Sequence, residues 1–226
     1  MTLPDLSALW LTLKLAAIVT ALLLLFGTPL ALWLARSRSR LRPVAEALTA
    51  LPLVLPPTVL GFYLLLAFNP NAAFGRFWLE LTGHTLTFSF TGLVLASLIY
   101  SLPFAVQPLQ TAFSALGAAP GETAASLGAS PLDAFLTVTL PLSLRGYLTA
   151  AVLTFAHTIG EFGVVLMVGG NIPGETRLIS IAIYERVETL DYAAAHGLSA
   201  LLLLFSFAIL LGLYILNGRT RIGLRA

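Results

Sequence analysis

ETAASLGASPLDAFLTVTLP, Glu122 to Pro141, is a small, polar-edged, jointed stretch set between long apolar segments. Pro120 suits the first turn of a helix, and Glu122 there complements the positive end of the helix dipole. The Ala and Ser residues of 122–127 continue that helix, and Gly128 can leave the helical region without steric cost and end it. Ser130-Pro131-Leu132-Asp133 then reads as an N-cap, a first-position proline and an acidic third position, so a second helix starts there. Pro141 marks its expected end. The segment holding both helices, about 114–145, is far longer than the 2–8 residues usual between packed helices. Ala124, Ala125, Ser126 and Gly128 bury little by themselves but let another backbone come close. A plain connector and a docking element for a partner protein are the two readings. Length and the small-residue paving favour docking.

The flanks of this stretch decide its surroundings. Of the 226 residues, 58% are hydrophobic and 10% charged, with a mean hydropathy of +0.94. A soluble domain carries about 25% charged residues, so the bilayer is the expected solvent. A net charge of +2 is too weak to point to nucleic acid. The absence of cysteine excludes disulfides and thiolate metal sites. The apolar run from Leu6 to Ala35 is too long for a signal core and precedes its basic cluster, so it does not read as a cleaved leader.

A spanning helix needs about 20 mainly apolar residues. Five stretches qualify: Ala8–Ala35, Ala47–Phe68, Phe88–Phe113, Tyr147–Val168 and Leu198–Leu216. Basic loops stay cytoplasmic. With the N-terminus outside, Arg36, Arg38, Arg40, Arg42, Arg145, Arg219, Arg221 and Arg225 fall inside, against Arg76, Arg177 and Arg186 outside. The sole lysine, Lys14, then snorkels toward the outer interface. An N-out, C-in protein follows, and the opening stretch faces the cytoplasm. Residues 170–197 are half apolar but hold Arg177, Glu185, Arg186, Glu188 and Asp191, so they predict an outer-face or partly re-entrant helix instead of a sixth span. Pro52, Pro56, Pro57, Pro103 and Pro108 suggest bent helices packed within protein.

The pattern Glu122-x-Ala124-x-x-x-Gly128, nine residues, then Val138-x-Leu140-Pro141 resembles the EAA-type coupling loop of bacterial ABC importer permeases. Thr123 stands where the family pattern has Ala, and Val138 is a conservative change. LPLVLPPTVLGFYLLL (51–66) and IGEFGVVLMVGGNIPGETRLISIAIYERV (159–187) narrow the resemblance to molybdate/tungstate permease subunits, with sulfate permeases sharing part of the pattern. The resemblance implies an all-α, type I ABC importer permease fold over residues 1–226 as a single transmembrane domain. It implies two copies forming the pathway, two ATP-binding subunits docked at Glu122, Thr123, Ala124, Ala125, Gly128, Val138, Leu140 and Pro141, and a periplasmic or extracellular binding protein delivering the oxyanion. No cofactor is implied. A P-loop needs GxxxxGK[ST], and Lys14 sits in an apolar helix with no glycines before it. ATP hydrolysis is therefore expected in a partner.

Glu161 is the acidic residue well inside a predicted span, which makes it a functional candidate. His157 lies one turn before it at i,i+4, and Gly160 and Gly163 allow close helix approach. A structural or gate-forming hydrogen bond, a proton relay and a metal site are the competing readings, although two ligands are too few for zinc. A carboxylate repels an oxyanion. Donors for such an ion are sought around Thr158, Gly169, Gly170 and Asn171. GNIPGETR (170–177) reads as a tight turn outside the fourth span, either ordinary loop chemistry or a face toward the binding protein. Trp78 and Tyr184 read as interface anchors. His84 and His196 receive no role. The expected function is the permease subunit of an ATP-driven molybdate or tungstate importer. A sulfate/thiosulfate permease and a proton-coupled carrier using Glu161 are the alternatives.

Overall fold

The structure, a computed structural model, describes residues 3–222. Arg225 and the side chains of Arg219 and Arg221, three of the charges used above to orient the chain, lie outside the described residues. Every regular element among those described is helical. In chain order they are α1 (Leu3–Arg36), α2 (Arg42–Val54), α3 (Pro57–Phe68), α4 (Ala73–Thr82), α5 (Phe90–Leu116), α6 (Ala119–Ser126) and α7 (Pro131–Ala134). A π-helical turn (Phe135–Thr139), α8 (Leu140–Leu142), α9 (Leu144–Ile159), α10 (Gly163–Gly169), α11 (Ile179–Glu188) and α12 (Tyr192–Ile222) follow.

Three helices, α1, α5 and α12, are long and apolar enough to cross a bilayer alone. Two bent pairs, α2 with α3 at 112° and the 131–142 segment with α9 at 74°, bring the candidate crossings to five. The expected span Ala47–Phe68 is thus broken in the middle. Pro57 lacks an N–H and Pro56 pushes Leu55 out of the helical region (ψ 134°), so no helix can run through. The expected span Tyr147–Val168 is also two helices, α9 and α10, separated at Gly160–Phe162, where Phe162 takes φ −133°, ψ −65°. Pro141 does not end the second cytoplasmic helix. That helix continues to Leu142, because the widened π turn before Pro141 absorbs its missing N–H. Residues 179–188 form α11, too short to span.

The core is α1 packed against α5, which runs parallel to it, and against α9, which runs antiparallel to both. Leu11, Leu15, Val19 and Leu23 recur every four residues along one face of α1. They pack with Leu93 and Ala105 of α5, Val165 of α10, and Leu178 and Ile181. Toward the arginine-rich end, Ala31 and Leu34 meet Val106, Leu109, Phe113 and Ala150. Thr28 and Tyr147 hydroxyls, 2.9 Å apart, tie α1 to α9. At the opposite end the Ile179 amide donates to Thr12 Oγ1 (2.9 Å), and Lys14 Nζ lies 4.6 Å from the centroid of the Phe90 ring. α3 packs on α10. A Cβ on Gly163 would sit 2.9 Å from Pro57 Cβ, so a residue without a side chain is what lets the two helix starts touch. Trp78 of α4 packs against the Leu64, Phe68 and Leu86 cluster. α12 touches only α9 and α11 substantially, and most of its surface faces outward.

Candidate functional site: a docking element and a buried polar cluster

At the arginine-rich end, α6 to α8 stand out from the long helices. α6 closes with bonds from Gly128 N–H to Ala125 O (3.0 Å) and Ala129 N–H to Ala124 O (3.0 Å), a Schellman closure with Gly128 at φ 90°. Ser130 Oγ accepts from the Asp133 amide (3.2 Å) and caps α7, with Pro131 at its first position. The glycine joint and the second cap thus stand where the residue types place them. Thr123 donates its hydroxyl to Ala119 O (2.9 Å), so the side chain that strays from the family pattern is satisfied on its own helix.

Ala124 is the buried anchor of α6, while Glu122, Thr123, Ala125 and Gly128 are exposed. Val138 and Leu140 are half-buried and Pro141 is exposed. A cavity of about 560 Å³ separates α6 and α7 from the end of α1, lined by Arg36, Gly121, Glu122, Ala125, Ala129 and Pro131 among others. Two residues that composition did not single out complete the surface. Leu127 is 85% exposed and Leu132 68% exposed, one on either side of the joint in the chain. An exposed leucine on either side of the capped joint gives this element apolar edges. The signal in the sequence is a leucine at each edge of a small-residue joint.

The second site is inside the bundle. Glu161 is 2% exposed, at the break between α9 and α10. Ser97 donates to its Oε2 (2.5 Å) and Ser101 to its Oε1 (2.6 Å), both from one face of α5. Ser101 Oγ also lies 2.9 Å from His157 Nδ1 and 2.9 Å from Thr158 Oγ1. Thr158 gives its proton to Thr154 O (2.9 Å). One consistent assignment uses each proton once: His157 Nδ1–H donates to Ser101, which donates to Glu161. His157 Nδ1 is itself 3.5 Å from the carboxylate. Its ring is stacked on Phe104 (centroids 3.9 Å) and leans on Tyr100 (4.7 Å). Ser180 of α11 donates to the Glu161 carbonyl (2.5 Å), satisfying backbone freed by the break.

His157, Thr158 and Glu161 therefore come together. Ser97 and Ser101 join them, and their i,i+4 spacing on an apolar helix was the available signal. Gly160 is exposed at the break and Gly163 packs on Pro57. Asn171 belongs elsewhere: exposed, it accepts from Arg177 Nε (2.6 Å), and Arg177 also pairs with Glu185 (3.2 Å). The donors sought for an oxyanion near Thr158 and Gly170 are occupied, since Thr158 bonds Thr154 O and the Gly170 amide bonds Leu166 O (2.9 Å).

Helices long and apolar enough to cross a bilayer, with a short capped helix pair at their arginine-rich end, define a multi-span membrane protein. The chain belongs to the family of binding-protein-dependent transport system inner membrane components, which matches residues 27–222. It is 56% identical over 210 residues, 93% of either chain, to the molybdenum transport system permease protein ModB of Azotobacter vinelandii. The protein of the same name from Escherichia coli (strain K12) is 36% identical over 186 residues, 82% of this chain and 81% of that one. A probable sulfate transport system permease protein cysT of Helicosporidium is 31% identical over 211 residues, covering 93% of this chain and 78% of its own. Among solved structures, an inward-facing MetNI methionine ABC transporter aligns with a TM-score of 0.70 at 18% identity, over 96% of this chain and 97% of that one. The fold is thus that of ABC importer permeases, in the inner membrane.

Proposed function

We propose that this chain is the membrane-spanning subunit through which molybdate or tungstate enters the cell. In this reading two copies enclose the pathway, two separate ATPase subunits bind at 122–141, and an outer binding protein delivers the ion. The observation that carries the substrate is the 56% identity with a molybdenum permease across 93% of both chains, against 31% for the sulfate relative. The coupling role is supported by the capped helix pair with Leu127 and Leu132 exposed beside Gly128. The whole of 1–226 acts as one transmembrane domain, with its coupling loop at about 114–145.

The Glu161 cluster works in this reading as a latch between helices and not as a contact for the passing ion. Its carboxylate is closed to solvent and held by two hydroxyls of α5, while the broken α9–α10 connection is the element that such a latch would set. A proton-coupled carrier would need that carboxylate to reach water on at least one side. Reconstitution with the partner ATPase and binding protein tests the substrate: molybdate should stimulate ATP hydrolysis and sulfate should not. Stimulation by sulfate alone would overturn it.

A further inference from the structure

The outward surface of the long helices is apolar almost everywhere, as on α12, where Leu203, Leu204 and Phe207 are exposed. One face of α5 departs from this. Gln107, Thr111 and Ser114 are exposed there and Gln110 is half-buried, a spacing that lays them along one stripe. With Glu46, Thr49 and Ala50 of α2 they line a groove of about 500 Å³. α5 ends at Leu116, which places Gln107 about 14 Å up the helix from that end. With 27 residues α5 is about 40 Å long against a hydrocarbon layer about 30 Å thick, so with its overhang shared between the two faces Gln107 lies inside the layer. A primary amide facing lipid there has no hydrogen-bond partner and is costly.

The groove has already settled its charges. Glu46 Oε1 accepts from Arg42 Nε (2.9 Å) and Gln110 Nε2 (2.8 Å). Thr49 and Thr111 donate to Ala45 O (2.8 Å) and Gln107 O (2.9 Å) on their own helices. The guanidinium beside Glu46 offsets the negative charge that would repel an anion. The Gln107 amide and the Ser114 hydroxyl are the further donors among the residues lining the cavity. We propose that the α2–α5 groove is water-filled and forms the cytoplasmic half of the exit route for the oxyanion, with Gln107 and Ser114 donating to the ion as it passes. The ion's identity rests on the reading above, whereas the water-filled groove does not.

The chain has no cysteine, so single thiols report cleanly. The test uses the complex assembled with its ATPase in inside-out vesicles, carrying Gln107→Cys, Thr111→Cys, Ser114→Cys or, on the lipid-facing surface, Leu204→Cys. A charged, membrane-impermeant thiol reagent should modify the three groove positions roughly tenfold or more faster than Leu204→Cys, because the reactive thiolate forms only where water reaches. Excess molybdate should slow the reaction at Gln107→Cys. Two results would overturn the proposal at Gln107→Cys and Thr111→Cys: modification by a lipid-soluble maleimide alone, or disulfides between two copies with the charged reagent excluded. Water access that no oxyanion slows would remove the exit-route role. Protection by sulfate and not molybdate would keep the groove and sink the molybdate assignment instead. Ser114→Cys, nearly isosteric, supplies the readout if a larger change disturbs assembly.

Discussion

Glu161 shows how much one side chain can organise. Its two oxygens accept from Ser97 and Ser101, and its carbonyl accepts from Ser180, so one residue joins α5, the α9–α10 break and α11. Glu161→Ala should leave two buried hydroxyls without acceptors and lower stability by about 1–3 kcal/mol, read as a lower Tm of the detergent-solubilised protein. Glu161→Gln keeps one carbonyl oxygen as acceptor and should cost less. Equal Tm for all three proteins would show that the cluster holds nothing. The sequence disclosed the pairing of Glu161 with His157 through their i,i+4 spacing. The i,i+4 spacing of Ser97 and Ser101 marks them only as a polar pair on an apolar helix, and their partner appears only when α5 is laid against α9. That contact joins positions about sixty residues apart, beyond the reach of any local pattern.

At the scale of elements, the joint at Gly128 is the sharpest prediction. A φ of 90° is tolerated by glycine and strained for a β-branched residue. Gly128→Val should disrupt the Schellman closure, change the angle between α6 and α7, and abolish stimulation of the partner ATPase while leaving the membrane bundle assembled. Normal stimulation in that variant would remove the docking role. Leu127→Asp should weaken co-purification of the ATPase by roughly tenfold, as loss of a buried apolar anchor does at other interfaces. Unchanged recovery of the ATPase would place the interface elsewhere. The caps of α6 and α7 were legible because Ser130, Pro131 and Gly128 act on their immediate neighbours. The breaks at 55–56 and 160–162 were not read from hydropathy, which runs on smoothly through both. Pro56-Pro57 was visible as a bend, but its 112° depends on how α3 packs against α10.

The whole molecule is a bundle of α1, α5 and α9 with α2–α3, α10–α11 and α12 arranged around it, and a small helix pair at its arginine-rich end. The composition announced the bilayer, and the absence of a P-loop lysine pointed to a separate source of energy. The depth and accessibility of each polar side chain needed the fold, and so the α2–α5 groove escaped notice. Uptake of labelled molybdate into liposomes holding this chain with its ATPase, and supplied with the binding protein, is the most direct test of transport. Uptake should require all three components and ATP, and should be lost with Gly128→Val. Uptake by this chain alone, driven by a pH gradient without ATP, would contradict it.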